Sequence, residues 1–289
     1  MEAMVSKGFL LFAENSNSVN YIEQAYALAL SIKATQTTTT LVSLMTNDKV
    51  PKKYLHVFDQ VIPLPFKTEA TASKYKPENR WQFYYATPYD ETIVLDADML
   101  LVDDISDWWT YCADHDIKFC SKIKNYKHEV IEQDRVHRLV FVENKLTNPY
   151  FALHYFKKNQ VAYEFYKVLE FVITHWEFNR GTFAPNEPQL WPSMDLATAI
   201  AIEITGQYQS VIDKCSPLEF VHMKTPLQGW DMIPSTWQDA VPFVLNSKGN
   251  LVVGNILQPK LFHYVEKNFL SKKILARLEE LANGKKETS

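Results

Sequence analysis

Glycine is scarce in this chain: seven in 289 residues, with no G-x-G and no G-x-x-x-x-G-K-[ST] anywhere. Proteins that grip phosphates with a glycine-rich turn need that residue so the backbone can approach closely. Dinucleotide-type Rossmann chemistry and P-loop chemistry are therefore excluded, and any phosphate handled here must be held by another device. Cysteine is scarcer still. Cys112, Cys120 and Cys215 have no metal-ligand spacing and leave one unpaired, the pattern of a reduced compartment and not of a disulfide scaffold. No apolar run reaches membrane-spanning length, and Met1 to Lys7 has no apolar stretch of the kind a secretory leader carries. The expected location is cytoplasmic. Basic clusters are also missing. The net charge is -4 and no Lys/Arg run exceeds a pair, which argues against a protein living on nucleic-acid phosphate contacts.

What is present is an ordinary folded composition with a clear alternation of patterns. Gly8 to Ala13 is a short apolar run suited to a central strand buried on both faces. Polar Glu14 to Ser18 follows, then Val19, Ile22, Tyr26, Ala29, Leu30 and Ile32 recur at helical spacing. Thr37 to Met45 reads as a second strand, Tyr54 to Phe58 as a short helix, Val61 to Leu64 as a short strand, and Asn79 to Ala86 as a helix leading into the strand Thr92 to Leu95. This alternation predicts an α/β fold, a Rossmann-like, doubly wound, mainly parallel (mixed) sheet flanked by helices. In such sheets ligands sit beyond the carboxyl ends of the strands, where both Glu14 to Ser18 and Asp96 to Asp98 fall. Further on, Ile117 to Ile123 and Tyr150 to Tyr155 read as strands, Gln160 to Trp176 and Met194 to Ile204 as helices, and Val241 to Val253 as a hairpin around Asn246 to Asn250. From Leu270 an amphipathic helix carries Ile274, Leu275, Leu278 and Leu281 on one face. A helix capping the domain is expected there, although its Lys272, Lys273 and Arg277 would also suit a membrane surface.

Asp96-Ala97-Asp98 carries the chemistry. Asp96 follows Ile93-Val94-Leu95 and Asp98 precedes Met99-Leu100-Leu101-Val102, so two carboxylates interrupt what would otherwise be one core segment. Desolvating two like charges is costly unless a cation or hydrogen bonds offset it. Mn²⁺ or Mg²⁺ is the economical answer, since these ions take hard oxygen ligands and usually only one or two carboxylates plus substrate phosphates. The bland alternative is a strand end with two solvated aspartates. A second copy of the pattern, Asp114-His115-Asp116, lies in a polar stretch and is read that way.

The segment Tyr89 to Ile105 around this motif resembles the DxD segment of glycosyltransferase family 8, the glycogenin and lipopolysaccharide galactosyltransferase group, which has the GT-A fold. Phe9 to Asn15, with Tyr21 to Ser31, is similar to that family's first strand, nucleotide loop and helix. The resemblance implies a metal-dependent transfer of a hexose, with retention, from a nucleotide sugar (a UDP-sugar) to a saccharide or glycoconjugate acceptor. It implies one domain over 1–289, with 1–105 the nucleotide-binding half, 106–269 the half that completes the metal site and takes the acceptor, and 270–289 a terminal helix and tail. Phe12, Ala13, Glu14, Asn15, Tyr21, Arg80, Asp96, Ala97, Asp98 and Lys267 would face the donor. Asp96, Asp98 and His263 would ligate Mn²⁺ or Mg²⁺, and Arg80, Asn148 and Asp195 would face the reacting sugar. Tyr150 stands where the family has a glycine, and no Asp-Gln-Gly follows at Asp195. Leu261 to Lys267 looks like the family's late His…Lys element, at shorter spacing.

Alternatives stay open at this stage. His222, with Lys224 close behind, rivals His263 as third ligand. Tyr21 would pack on a uracil ring or on its own helix. Trp108-Trp109, Trp191, Trp230 and Trp237 would suit sugar stacking, although burial in the core is the commoner use of such residues. A haloacid-dehalogenase-type phosphatase also uses Asp-x-Asp after an apolar strand, but on its first strand. A sugar nucleotidyltransferase would need a glycine-rich N-terminal loop. An inactive nucleotide-sugar-binding module would keep the motif without turnover.

Overall fold

The computed structural model describes residues 5–67, 76–131, 138–213, 215–229 and 236–286. In chain order its strands are β1 (Lys7–Phe12), β2 (Val42–Met45), β3 (Gln60–Ile62), β4 (Glu91–Asp96), β5 (Met99–Leu101), β6 (Ile117–Cys120) and β7 (Lys122–Lys124). They continue as β8 (Tyr150–Lys157), β9 (Glu219–His222), β10 (Phe243–Leu245), β11 (Leu251–Val253), β12 (Ile256–Leu257) and β13 (Leu261–His263). The largest sheet has the order β3-β2-β1-β4-β8-β6. Its β3-β2-β1-β4 part is parallel, while β8 runs antiparallel to both β4 and β6.

Side-chain alternation along the central strands divides the interior in two. Phe9, Leu11, Ile93 and Leu95 enter one core with the helix Tyr21–Thr35, whereas Leu10, Phe12 and Val94 enter the other with the helices Gln160–Thr174 and Met194–Thr205. Both faces of β1 and β4 are thus dry, which is why these strands read as unbroken apolar runs. Asn20 starts the first helix by accepting the Glu23 N–H at 3.2 Å. The helix Lys272–Lys286 packs on that same helix through Ile274, Leu278 and Ala282, and Tyr26 Oη donates to Glu279 Oε1 at 3.0 Å. The expected capping role holds, with Ala282 where Leu281 was anticipated. No described helix is long and apolar enough to cross a membrane.

A second sheet, β5-β13-β9-β7, stands beside the first. At two places the chain steps directly from the first sheet to the second with no helix between. It leaves β4 through the turn at Ala97-Asp98 and enters β5, and it leaves β6 at Ser121 and enters β7. The expected single strand Ile117 to Ile123 is therefore two strands in two sheets. Register slips between Phe119 and Cys120, and that irregularity frees the chain to change partners. The expected second strand is shorter than its apolar pattern, covering only Val42–Met45. The helix expected over Asn79 to Ala86 is a 3₁₀ segment, Lys76–Gln82, followed by one α-turn, Phe83–Ala86. The hairpin β10–β11 forms as expected.

Candidate active site

β1 and β4 end together, with Phe12 beside Asp96 in register. Asp96 closes the larger sheet and Asp98 opens the smaller one, so the motif lies on the seam between them. β13 pairs antiparallel with β5, which sets His263 opposite Met99 and brings its Nε2 to 3.0 Å from Asp98 Oδ2. Two hydrogen bonds fix the end of β13: Tyr264 N–H donates to the Asp98 carbonyl at 3.2 Å, and Trp237 Nε1 donates to the Tyr264 carbonyl at 2.8 Å. The chain then reverses at Val265, whose φ of +61° is rare for a β-branched residue. Such a conformation costs roughly 1–3 kcal/mol and persists only where its surroundings enforce it. Beyond that reversal, Lys267 Nζ donates to Asp98 Oδ2.

The ligand atoms of Asp96, Asp98 and His263 all lie within 4.8 Å of one another. Burial works against ionisation of Asp98, yet His263 and Lys267 beside it hold its carboxyl well below the usual carboxylate range. Burial pushes the Asp96 carboxyl upward, opposed by Arg80, whose Nη1 is 2.9 Å from Asp96 Oδ1. His222 does not join this cluster. It sits one strand away on β9, its ring 4.7 Å from that of His263, and burial, with His263 and Lys224 nearby, drives its pKa well below the ordinary value. Of the two histidines left open by the sequence, His263 is the one whose ligand atom lies within 4.8 Å of those of both aspartates.

Of the residues expected to face a donor, Arg80 and Asp96 line the cavity described below, while Phe12, Ala13, Glu14, Asn15, Tyr21, Ala97, Asp98 and Lys267 are not in its lining. The Arg80 guanidinium lies 5.8 Å from the Phe12 ring centre. Ala13 N–H donates to the Met45 carbonyl at 3.2 Å, and Ala97 is buried in the turn. Asn15 Oδ1 accepts from the Ile22 N–H at 3.1 Å, and its own N–H meets Asp48. Glu14 is buried and accepts from Asn79 Nδ2 at 3.2 Å. Tyr21 lies under Lys267, with Nζ 5.6 Å from its ring centre.

A cavity of about 520 Å³ opens from this cluster. Arg80, Asp96, His222, His263, Arg138, Asp195 and Lys224 all line it, with Lys224 near Asp195 and Arg138. Asp195 heads the helix Met194–Thr205, where an acidic side chain is favoured, and its Oδ1 accepts from the Phe151 N–H at 2.8 Å. Its Oδ2 pairs with Arg138 Nη1. Arg138 also donates through Nε to Asn148 Oδ1 at 2.6 Å and through Nη2 to the Pro149 carbonyl. Its guanidinium is clamped between the rings of Phe141, at 4.3 Å, and Tyr150, at 3.9 Å. Tyr150, the departure from the family glycine, is thus one jaw of an arginine clamp. Asn148 is buried beside Arg138 and lines a neighbouring depression, not this cavity. Arg138 was not singled out from the sequence, because it carries no motif and its partners lie up to 57 residues away. Trp108, Trp109 and Trp237 are core residues, Trp191 is half exposed, and Trp230 lies outside the described residues. Asp114-His115-Asp116 sits near the surface, away from the cavity lining.

Three solved glycosyltransferase structures share this architecture. Apo-form GlyE of Streptococcus pneumoniae TIGR4 superposes with a TM-score of 0.53 at 11% identity, covering 98% of this chain and 64% of that one. Galactosyltransferase LgtC, in complex with donor and acceptor sugar analogs, gives 0.53 at 12% identity, covering 96% of this chain and 95% of that one. The apo bifunctional glycosyltransferase WbbM gives 0.51 at 12% identity, covering 98% and 50%. The chain therefore spans just under two thirds of GlyE, half of WbbM and nearly all of LgtC. No protein-family model matches the chain, and no curated protein matches it in sequence. The fold is α/β, of the GT-A type seen in family 8 glycosyltransferases.

Proposed function

We propose that the chain is a metal-dependent glycosyltransferase that moves a hexose from a UDP-sugar to a saccharide or glycoconjugate acceptor, with retention. The observation that carries this reading is the convergence of Asp96, Asp98 and His263 beside a cavity that Asp195 also lines. Two carboxylates and an imidazole suit Mn²⁺ or Mg²⁺, and Asp98 already attracts a cationic side chain, Lys267. LgtC was solved in complex with donor and acceptor sugar analogs, and a cavity lined by both the Asp96 and His263 group and the Asp195–Arg138 pair suits two such ligands. The UDP base, the hexose and retention rest on the likeness to family 8.

In this reading residues 1–105 form the donor half of a single domain and 106–269 complete the metal site and receive the acceptor. Asp96, Asp98 and His263 hold the ion, which when bound supplies Lewis-acid stabilisation of the leaving diphosphate. Lys267 brings a second positive charge to the place where negative charge develops. Arg80 holds Asp96 in orientation, Tyr21 offers a ring to the base, and Phe12 to Asn15 edge the nucleotide crevice. Asp195, fixed by Phe151 N–H and Arg138, presents a carboxylate to the reacting sugar, with Asn148 bracing that arginine. Calorimetry with UDP tests the proposal: tight binding in Mn²⁺ that collapses in chelator is expected, and equal affinity in both conditions would remove the metal from the account.

A further inference from the structure

Lys224 lines the cavity and is partly buried, yet among the described residues its ammonium group has no hydrogen-bond or ion-pair partner, only its backbone carbonyl being engaged by Leu227 N–H and Gln228 Nε2. The other cations of the cavity are engaged. Arg80 pairs with Asp96, and Arg138 with Asp195, Asn148 and the Pro149 carbonyl. Asp195, the anion acting most on Lys224, already gives one oxygen to Arg138 and the other to Phe151 N–H. It does not neutralise Lys224 as well. Burial lowers the lysine's affinity for its proton, and an ammonium group held partly out of water without a partner is unfavourable unless something else supplies the opposite charge.

Position says where that charge would come from. The wall runs from Asp98 through His263 on β13 and His222 on β9 to Lys224, which lies toward Asp195 and Arg138. The diphosphate end of the proposed site has its own lysine, Lys267. We propose that Lys224 recognises an anionic substituent, a carboxylate or a phosphate, on the sugar that lies beside Asp195 in the cavity. The inference rests on the glycosyltransferase reading and adds to it the acidity of one substrate sugar.

The test uses the full chain saturated with Mn²⁺, and UDP binding by calorimetry reads the metal end independently. UDP-glucuronate against UDP-glucose asks whether the anion belongs to the donor sugar. Glucuronate and glucose 6-phosphate against glucose, added to protein already holding Mn²⁺ and UDP, ask whether it belongs to the acceptor. A preference of about tenfold for the charged probe is expected in one arm, falling to about twofold or less in Lys224→Met with UDP affinity unchanged. Metal-dependent UDP binding without preference in either arm would overturn the proposal and leave the glycosyltransferase reading standing. So would a preference that survives both Lys224→Met and Lys224→Gln. Absence of metal-dependent UDP binding would overturn that reading, and this inference with it.

Discussion

His263 Nε2 lies 3.0 Å from Asp98 Oδ2, across the two antiparallel strands that carry these residues away from the larger sheet. His222, at the same register on the neighbouring parallel strand, stays outside the group of converging ligand atoms. The pair therefore makes a controlled comparison. His263→Gln is expected to weaken Mn²⁺-dependent UDP binding by roughly 100-fold, a magnitude typical of losing one preorganised electrostatic contact. His222→Gln should leave the metal dependence in place. Calorimetry at a series of Mn²⁺ concentrations checks both, and a reversed order would move the third ligand to β9.

Arg138 is the keystone of the group around Asp195. Its guanidinium joins Asp195, Asn148 and the Pro149 carbonyl while two rings enclose it. Arg138→Lys keeps the charge but loses the planar fork and the stacking, so it should fail to substitute. Both Arg138→Lys and Arg138→Met are expected to cost about 2–4 kcal/mol, since removing one partner of a partly buried pair strands the other. Urea unfolding measures this, and turnover of any active donor should fall in both variants together.

The central fold was legible because its determinants are local. The apolar runs of β1 and β4, each ending in polar residues, can only be strands buried on both faces, and the interruption at Asp96 and Asp98 marks where the sheet ends. His263 was legible as a candidate through its short motif. What was illegible depends on distant partners. The split of Ile117 to Ile123 follows from which sheet each half joins, a matter decided by β8 and β9 and not by the segment's own pattern. Arg138 and Lys224 likewise gain meaning only once Asp195 is brought to them. The near-surface copy Asp114-His115-Asp116 has the same spacing but lies outside the group of converging ligand atoms found among the described residues.

His154 makes acid stability a further test. It is fully buried, its ring nitrogens lie 2.8 Å from the Phe151 carbonyl and 2.7 Å from Tyr166 Oη, and burial pushes its pKa down to about 3. In the unfolded chain an ordinary histidine titrates near 6.5. Between these values the unfolded state binds a proton that the folded state does not, so stability falls as pH drops through that window. One such group contributes a slope of about 1.4 kcal/mol per pH unit. Denaturant midpoints for the wild type and His154→Phe between pH 7.5 and 4.5 should show the variant's profile flatter by about that amount. Any loss from stranding Tyr166 Oη would appear as a constant offset.

Gly8 is required by a neighbour and not by backbone conformation. A Cβ added there would stand 2.4 Å from the Tyr89 ring. That ring has nowhere to go: Tyr89 is buried, and its hydroxyl is 2.8 Å from Ser43 Oγ on the adjoining strand. The small residue at the start of β1 thus admits the tyrosine that precedes β4, and it keeps the two site-bearing strands in register. Gly8→Ala should destabilise by about 1–3 kcal/mol through overpacking. A Tyr89→Leu background relieves the clash, so the same substitution made there should cost far less, and the difference is the coupling between the two positions. Thermal unfolding of the single and double variants measures it. Equal losses in both backgrounds would mean that the close approach of Gly8 and Tyr89 does not constrain the strand pair.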